Sequence, residues 1–344
     1  MVIEMNGRVT IVNPLIKVPS GTKIYVENVL RGLKQEGLSF RQIEIRKREV
    51  SFHGKPYFGF ISQYLSASFK SADTEIVHSL SPSSIIKGTN IVTVHDIIPL
   101  IRKDIYFRTW YDRMAFTRSH ERLGNVRTWL LSSEVGKKEV MQNLDIESDR
   151  LSVIHMPINH EVFYPSERDP YQHNNKLKLL MVSDYNPRKR IDIIINSLRN
   201  NPEIEFYHIG PVNSWVRQQN EYKLLEKNSS NIHLLGRMEP EEMRDYVSHA
   251  DLFVYLSEAE GFGYPPLEAM ACGTKVLVSD LPIFHETMGP LASYCKTAEF
   301  SVDTVMKAIS EVKPVEALMK HSGTFSVETY ARELIRLYET ISST

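Results

Sequence analysis

Short apolar segments alternate with amphipathic helical segments from end to end of this 344-residue chain. This alternation is typical of parallel βαβ units, in which each strand is followed by a helix that covers the sheet. Strands are predicted at residues 8–12, 40–45, 75–78, 91–94, 127–131, 177–182, 204–209, 232–235 and 252–256. Helices are predicted at residues 22–35, from 134, from 190, near 215, at 239–249 and at 327–341. The chain is therefore expected to be an α/β protein with parallel sheets.

A polar stretch divides this pattern into two halves. Residues 161–176 contain Pro165 and Pro170 and show neither helical nor strand periodicity, so they are predicted to be an interdomain linker. Because 344 residues exceed one ordinary domain, we expect a first domain at residues 1–160 and a second at 177–326.

Composition narrows the classes of function. The formal net charge of −1 gives no global electrostatic reason to bind nucleic acid, so no nucleic-acid partner is expected. Cys272 and Cys295 are the only cysteines, which excludes a disulfide scaffold and favours a reducing compartment. The N-terminal residues lack the apolar core of a signal peptide, and no apolar run reaches membrane-spanning length. A cytoplasmic location is expected.

The stretch EGFGYPPLE at residues 260–268 directly follows a predicted buried strand. A sharp turn and a helix start are indicated by Gly261, Gly263, Pro265 and Pro266. Free N–H groups at a helix start attract an anion such as a diphosphate, and the carboxylates of Glu260 and Glu268 can accept hydrogen bonds from hydroxyls. The stretch predicts a sugar-nucleotide site, while a surface position for Glu268 is the alternative.

Three cations, Arg188, Lys189 and Arg190, follow another predicted strand and stand at a helix start. Cations there oppose the helix dipole, so the placement indicates either a bound anion or a solvated basic turn. Fixed cations in a water-poor site would stabilise the charge of a leaving diphosphate. No Asp-x-Asp step is present, so no metal or other cofactor is expected.

The whole string from residue 260 to 280 resembles the signature of retaining glycosyltransferases of family 4. These enzymes have the GT-B fold, with two Rossmann-like domains whose parallel sheets face across a cleft. The resemblance covers nearly the whole chain and is strongest over residues 182–288. It implies metal-independent transfer of a hexose, with retention, from a nucleotide-diphosphate sugar to a hydroxyl of a saccharide, lipid-linked or small-molecule acceptor. The Pro-Arg-Lys turn resembles mannosyl- and glucosyltransferases, which leaves GDP-mannose and UDP-glucose as rival donors.

The resemblance also implies roles for the donor side. Arg188 and Lys189 would hold the diphosphate alone or with Arg190, because an arginine that many members carry is absent at Asp184. Glu260 would bind the transferred sugar and Glu268 the ribose. The remaining donor contacts implied are Gly210, Gly236, Arg237 and Met238 at the nucleobase, and Gly261, Phe262 and Gly263 at sugar and phosphate.

On the acceptor side, His95 follows a buried-looking strand and is the candidate for contacting donor-sugar hydroxyls or orienting the acceptor, with Asp96 in support. A purely structural histidine is the alternative. The loop with Ser20, Gly21 and Thr22 matches the family's acceptor or phosphate loop in position, although an ordinary strand-helix loop fits equally well. The resemblance implies that a last helix at residues 327–344 packs back on the first domain.

The segment at residues 102–127 mixes aromatic residues with a basic excess. Peripheral contact with an anionic membrane is one interpretation, and a packed helix with a solvated basic face is the other.

Two alternatives to the transferase stay open: a nucleotide-sugar 2-epimerase on the same fold, and a catalytically inactive sugar- or lipid-binding protein.

Overall fold

The computed structural model describes residues 7–15, 21–45, 72, 74–106, 122–171, 174–211 and 216–343. The chain divides into two compact units, residues 1–157 with 327–344 and residues 158–326. Most of the basic-aromatic segment at 102–127, with its possible membrane contact, lies outside the described residues, as does Ser20.

The first unit contains a six-stranded sheet with strand order β2-β1-β3-β4-β5-β6. Its strands are β1 (Val9–Pro14), β2 (Arg41–Ile45), β3 (Ile76–Ser79), β4 (Ile91–Val94), β5 (Thr128–Leu131) and β6 (Leu151–Val153). Its helices begin with α1 (Gly21–Gln35), α2 (Ile98–Ile101), α3 (Lys103–Tyr106) and α4 (Glu134–Asn143). Ser133 caps α4 by accepting a hydrogen bond from Gly136 N at 2.9 Å, and the helix begins at Glu134, the residue predicted from the sequence.

The second unit repeats the design with strand order β12-β11-β10-β7-β8-β9. Its strands are β7 (Leu177–Val182), β8 (Ile204–Ile209), β9 (Ile232–Gly236), β10 (Leu252–Tyr255), β11 (Val276–Ser279) and β12 (Ser293–Cys295). Its helices are α5 (Ile191–Leu198), α6 (Val216–Lys227), α7 (Pro240–His249), α8 (Tyr264–Ala271), α9 (Pro282–Met288), α10 (Val302–Ser310) and α11 (Val315–Gly323). Adjacent described strands in both sheets pair in parallel.

The interior strands of both sheets are covered on two faces, and this explains their composition. Every residue of β1 and every residue of β8 is buried, so neither strand alternates between apolar and polar residues. Parallel sheets require helical crossovers, and those helices exclude water from both faces. The near-continuous apolar runs in the sequence follow from this arrangement.

The polar stretch at residues 161–176 forms no helix or strand in its described part, yet it is attached to α7. Ser166 Oγ donates to Asp245 Oδ1 at 2.6 Å, and the Tyr171 hydroxyl donates to the Tyr246 carbonyl at 2.8 Å. These bonds make the stretch part of the second unit.

The last helix, α12 (Val327–Ser342), lies against α1 in the first unit. Tyr330, Leu334 and Tyr338 recur at helical spacing and are all buried. The two helices approach closely at Gly32, where an added Cβ would meet Val327 Cγ1 at 2.8 Å. Glycine at this position therefore sets the spacing between α1 and α12.

Candidate functional site

The second sheet changes its winding direction between β7 and β10, which are neighbours although three strands apart in sequence. In open parallel sheets, ligands bind outside the carboxyl ends of the strands at such a switch point. The loop after β7 carries Arg188 and Lys189, and the loop after β10 carries Glu260. The fold thus brings Glu260 to two adjacent cations that precede it by 72 and 71 positions in the sequence.

The loop after β7 is a well-defined turn. Asn186 Oδ1 accepts a hydrogen bond from Arg188 N at 3.1 Å and starts a short 3-10 turn at Pro187–Lys189. The backbone N–H of Glu258 donates to the Arg188 carbonyl at 2.9 Å and joins this turn to the loop after β10. Both loops are consequently fixed relative to each other before any ligand binds.

A compact ion cluster forms where the two loops meet. Lys189 Nζ lies 2.5 Å from Glu260 Oε1, and Arg188 Nη1 contacts the same oxygen. Arg188 also donates to the Ala259 carbonyl, and Lys189 donates to the Tyr255 hydroxyl. The Arg188, Lys189 and Glu260 side chains are 14%, 6% and 7% exposed, so water screens their charges little.

The cluster has two positive charges and one negative charge. Burial alone would raise the pKa of Glu260, but the charges of Arg188 and Lys189 outweigh it and lower this pKa to about 2. Burial and the Arg188 charge lower the pKa of Lys189 to about 8, despite the opposing effect of Glu260. Arg188 and Lys189 thus place two cations beside one Glu260 oxygen, and the Asp184 charge also acts on Lys189. These fixed cations can interact with an anionic ligand.

The Arg190 side chain pairs with carboxylates outside this cluster. Its backbone is left-handed, with φ 48°, and it is the one non-glycine residue with a positive φ in the described part of the chain. Its guanidinium lies 2.6 Å from Glu258 Oε1 and 3.0 Å from Asp192 Oδ2. Two carboxylates therefore pair with Arg190. The sequence left open whether Arg190 helps Arg188 and Lys189 to hold the diphosphate. These ion pairs favour binding by Arg188 and Lys189 alone.

The turn after Glu260 has the predicted form. Gly263 has φ 95° and caps α8, whose first turn contains both prolines. A Cβ at Gly263 would also meet the Phe284 ring at 2.8 Å, so glycine is required there on two grounds. The amide of Phe262 belongs to the same turn, and its ring is buried.

Glu268 is a buried residue of α8, so the alternative of a surface position is wrong. It is 6% exposed, and burial raises the pKa of its carboxyl to about 8. The two glutamates of the motif thus differ in charge at neutral pH, because Glu260 has two cationic neighbours and Glu268 is governed by burial.

The predicted base-binding residues lie at the ends of β8 and β9, at the same edge of the sheet. A Cβ at Gly210 would come within 1.7 Å of the Ser183 carbonyl, so packing between strands already requires glycine there. Sequence reasoning had attributed this glycine to the approach of a nucleobase. Gly236 has φ 74° and open space around it, while Arg237 is exposed and Met238 is half-buried beside it.

His95 follows β4 in the first unit. Its ring packs edge-on against Tyr25, with centroids 4.7 Å apart, and it bonds to the Leu80 carbonyl. Burial lowers the pKa of His95 to about 4, although the Leu80 carbonyl acts in the opposite direction. Asp96 Oδ1 accepts a hydrogen bond from Ile98 N at 3.0 Å and so stabilises the start of α2.

The described residues include Gly21 and Thr22 of the predicted acceptor loop. Gly21 is the first residue of α1, one position before the predicted start at Thr22. It is exposed, and an added Cβ would meet nothing within 4 Å. The role of this loop stays a prediction.

Sequence reasoning missed Tyr255. The sequence indicated only a buried apolar strand at residues 252–256. In the structure Lys189 Nζ donates a hydrogen bond to the Tyr255 hydroxyl and lies 4.5 Å from the centroid of its ring. A tyrosine at the last position of a buried strand was the available signal, because its hydroxyl needs a polar partner.

No helix in the described part of the chain is long and apolar enough to cross a membrane.

Comparisons with known proteins agree with this architecture. Residues 164–320 match the family model described as glycosyl transferases group 1. The O-antigen chain mannosyltransferase RfbU of Salmonella typhimurium strain LT2 is 30% identical over 208 residues, which cover 59% of this chain. The chain spans 55% of the length of that relative. The resemblance to a glycosyltransferase family is confirmed, while the mannosyl/glucosyl subgroup stays a prediction.

Solved structures confirm the fold class. The sucrose-phosphate synthase of Thermosynechococcus elongatus has a TM-score of 0.78 at 16% identity, covering 98% of this chain and 100% of that one. Anabaena HepE in complex with UDP-glucose has a TM-score of 0.70 at 15% identity, covering 98% and 100%. At such low identity the likeness bears on the fold alone, which is the GT-B class predicted from the sequence.

Proposed function

We propose that this chain, whose residues 164–320 match the glycosyl transferases of group 1, is a retaining glycosyltransferase. It transfers a hexose from a nucleotide-diphosphate sugar to a hydroxyl of a saccharide, lipid-linked or small-molecule acceptor, without a metal. The observation that carries the proposal is the buried cluster in which Glu260 holds two cations, Arg188 and Lys189, beside the carboxyl ends of β7 and β10.

This cluster suits the cleavage of a sugar-phosphate bond. As the bond from the anomeric carbon to phosphate oxygen breaks, negative charge grows on the nucleoside diphosphate. Arg188 and Lys189 are held in place by Glu260 and Tyr255, so they stabilise that charge with little reorganisation. The acceptor oxygen attacks the same face, and its proton passes to the departing phosphate, which conserves atoms and charge and retains the configuration.

GDP-mannose and UDP-glucose are the candidate donors. The relative RfbU is named a mannosyltransferase, and the structural neighbour HepE was solved with UDP-glucose. The first name supports mannose and the second glucose. Sequence identity is higher for the first, so GDP-mannose is the donor to test first.

A donor screen tests the proposal. UDP-, GDP- and ADP-sugars are assayed for thermal stabilisation, for hydrolysis, and for transfer to saccharide acceptors, with the anomeric configuration of the product read by NMR. Lys189→Ala and Glu268→Ala should abolish donor hydrolysis. Arg190→Ala is the matched control, because it removes a neighbouring cation that pairs with Glu258 and Asp192, and it should retain hydrolysis.

Several outcomes would refute the proposal. Turnover by both alanine variants at the parent rate would show that the site is misassigned. Release of an epimerised free sugar without acceptor would point to a 2-epimerase, and lack of any nucleotide-sugar binding would point to an inactive binding protein. An inverted product would refute retention alone.

A further inference from the structure

A chain of hydrogen-bonded polar side chains crosses the core of the first unit. The Tyr25 hydroxyl bonds to Thr93 Oγ1 at 2.9 Å and to the Tyr330 hydroxyl at 2.6 Å. Thr93 Oγ1 also bonds to His78 Nε2 at 2.9 Å, and His78 Nδ1 bonds to the Tyr338 hydroxyl at 2.7 Å. All five residues are buried. The chain joins β3, β4, α1 and the returning helix α12.

Burial makes this chain rigid. Its members have no access to water, so each lost hydrogen bond would leave a costly unpaired polar group. Burial lowers the pKa of His78 to about 3, so its ring is neutral, with one nitrogen donating and the other accepting. Two hydrogen bonds, to Thr93 and to Tyr330, therefore fix the Tyr25 hydroxyl and, through it, the Tyr25 ring.

The fixed Tyr25 ring packs against His95. The two rings meet edge-on at 83°, with centroids 4.7 Å apart. Thr93 lies in β4, and His95 directly follows that strand. Tyr25 contacts Thr93 through its hydroxyl and His95 through its ring. The Tyr25 ring therefore opposes rotation of the imidazole about its own side-chain bond.

The contacts of His95 define its chemical form. The ring bonds to the Leu80 carbonyl, and a carbonyl only accepts, so the ring nitrogen facing it carries the proton. His95 Nε2 is enclosed and has no hydrogen-bond partner among the described residues, which identifies Nδ1 as the nitrogen that faces Leu80. Nε2 therefore carries a lone pair, and an enclosed polar atom of this kind calls for a partner.

We propose that Tyr25 is a positioning residue for His95, holding the imidazole in the Nδ1–H form so that Nε2 accepts a hydrogen bond from a substrate hydroxyl. The proposal rests on the proposed function, because the hydroxyl is that of a substrate of the transferase. Tyr25 acts only through the histidine.

NMR of the protein labelled with ¹⁵N-histidine tests the positioning without any substrate. His95→Ala assigns the His95 signals among those of the 12 histidines. The parent at neutral pH should show a single Nδ1–H tautomer. Tyr25→Phe keeps the ring but removes both hydroxyl bonds that fix it, so a minor share of the other tautomer should appear. Tyr25→Leu should give a mixture of tautomers. Tyr338→Phe, which removes a hydroxyl at the far end of the chain, is the control and should leave His95 unchanged.

Activity gives a second, separate measurement. Tyr25→Leu should lower kcat about tenfold with an unchanged KM for the donor, and adding Tyr25→Leu to His95→Ala should cost nothing further. Fully additive effects, or a Tyr25→Leu spectrum like that of the parent, would overturn the positioning role. A change of the His95 signals in Tyr338→Phe as large as in Tyr25→Leu would do the same. If the NMR result holds but the parent turns over no donor, the positioning stands and the proposed function fails.

Discussion

Replacing Glu268 with glutamine should stabilise the protein at neutral pH and leave its stability unchanged in acid. Burial raises the pKa of Glu268 from 4.5 to about 8, so the folded protein binds this proton more tightly than the unfolded chain. The stabilisation from the bound proton is complete below pH 4.5 and is lost as the pH rises through about 8. Glutamine resembles the protonated acid but does not titrate, so the variant escapes this loss.

The magnitude follows from the size of the shift. Each pKa unit corresponds to ~1.4 kcal/mol, so the variant should exceed the parent by about 3 kcal/mol at pH 7 and about 5 kcal/mol above pH 8. These differences are a large share of the total stability of an ordinary domain, roughly 5–15 kcal/mol. The effect is therefore well within reach of an unfolding experiment.

Urea-induced unfolding of parent and variants between about pH 2 and pH 8.5 measures the effect directly. Glu260→Gln is the matched control of opposite sign. Burial would raise the pKa of Glu260, but Arg188 and Lys189 lower it from 4.5 to about 2, so this variant should lose about 3 kcal/mol at pH 7. That loss should shrink as the pH falls from 4.5 towards 2. If the difference between Glu268→Gln and the parent did not change with pH, the reasoning from burial would be wrong.

Three further predictions follow from contacts in the structure. Because burial and a neighbouring cation lower the pKa of Lys189 to about 8, kcat/KM for the donor should fall as the pH rises through that value, and Lys189→Arg should remove the fall from the pH-rate profile. Gly210→Ala places a Cβ 1.7 Å from a carbonyl and should lower the free energy of unfolding by ~3 kcal/mol or more. Gly236→Ala meets only an unfavourable φ of 74° and should lower it by ~1–2 kcal/mol. Urea unfolding measures both losses. Gly32→Ala should cost ~1–3 kcal/mol through its contact with Val327, and Val327→Ala in the same chain should restore part of the loss; no recovery would contradict this packing.

The sequence determined the local structure well because local rules act within a few residues. Buried parallel strands need continuous apolar runs, so β4 and β7 begin and end at the predicted residues. The turn after Glu260 was predictable because Gly263 permits a left-handed backbone and prolines suit a first helical turn. The pattern did not indicate the three-residue strands β6 and β12, which are too short to show a period.

The charged residues of the candidate cluster were indicated by the sequence, but Tyr255 and the pairings between the residues were not. Charge and position along the chain indicated Arg188, Lys189 and Glu260, whereas only the adjacency of β7 and β10 brings the two cations onto one carboxylate. Charge alone could not separate Arg190 from its two neighbours, because its left-handed backbone turns it towards Glu258.

The sequence by itself determined the alternation of strands and helices, the turn chemistry and the kinds of functional group present. Tertiary structure decided the charge state of each group, because a pKa depends on burial and on neighbours that are distant in sequence. Glu260 and Glu268 are identical side chains eight positions apart, yet one has a pKa of about 2 and the other of about 8. Folding places the first against two cations and the second in a water-free interior, and the sequence gives no local sign of that difference.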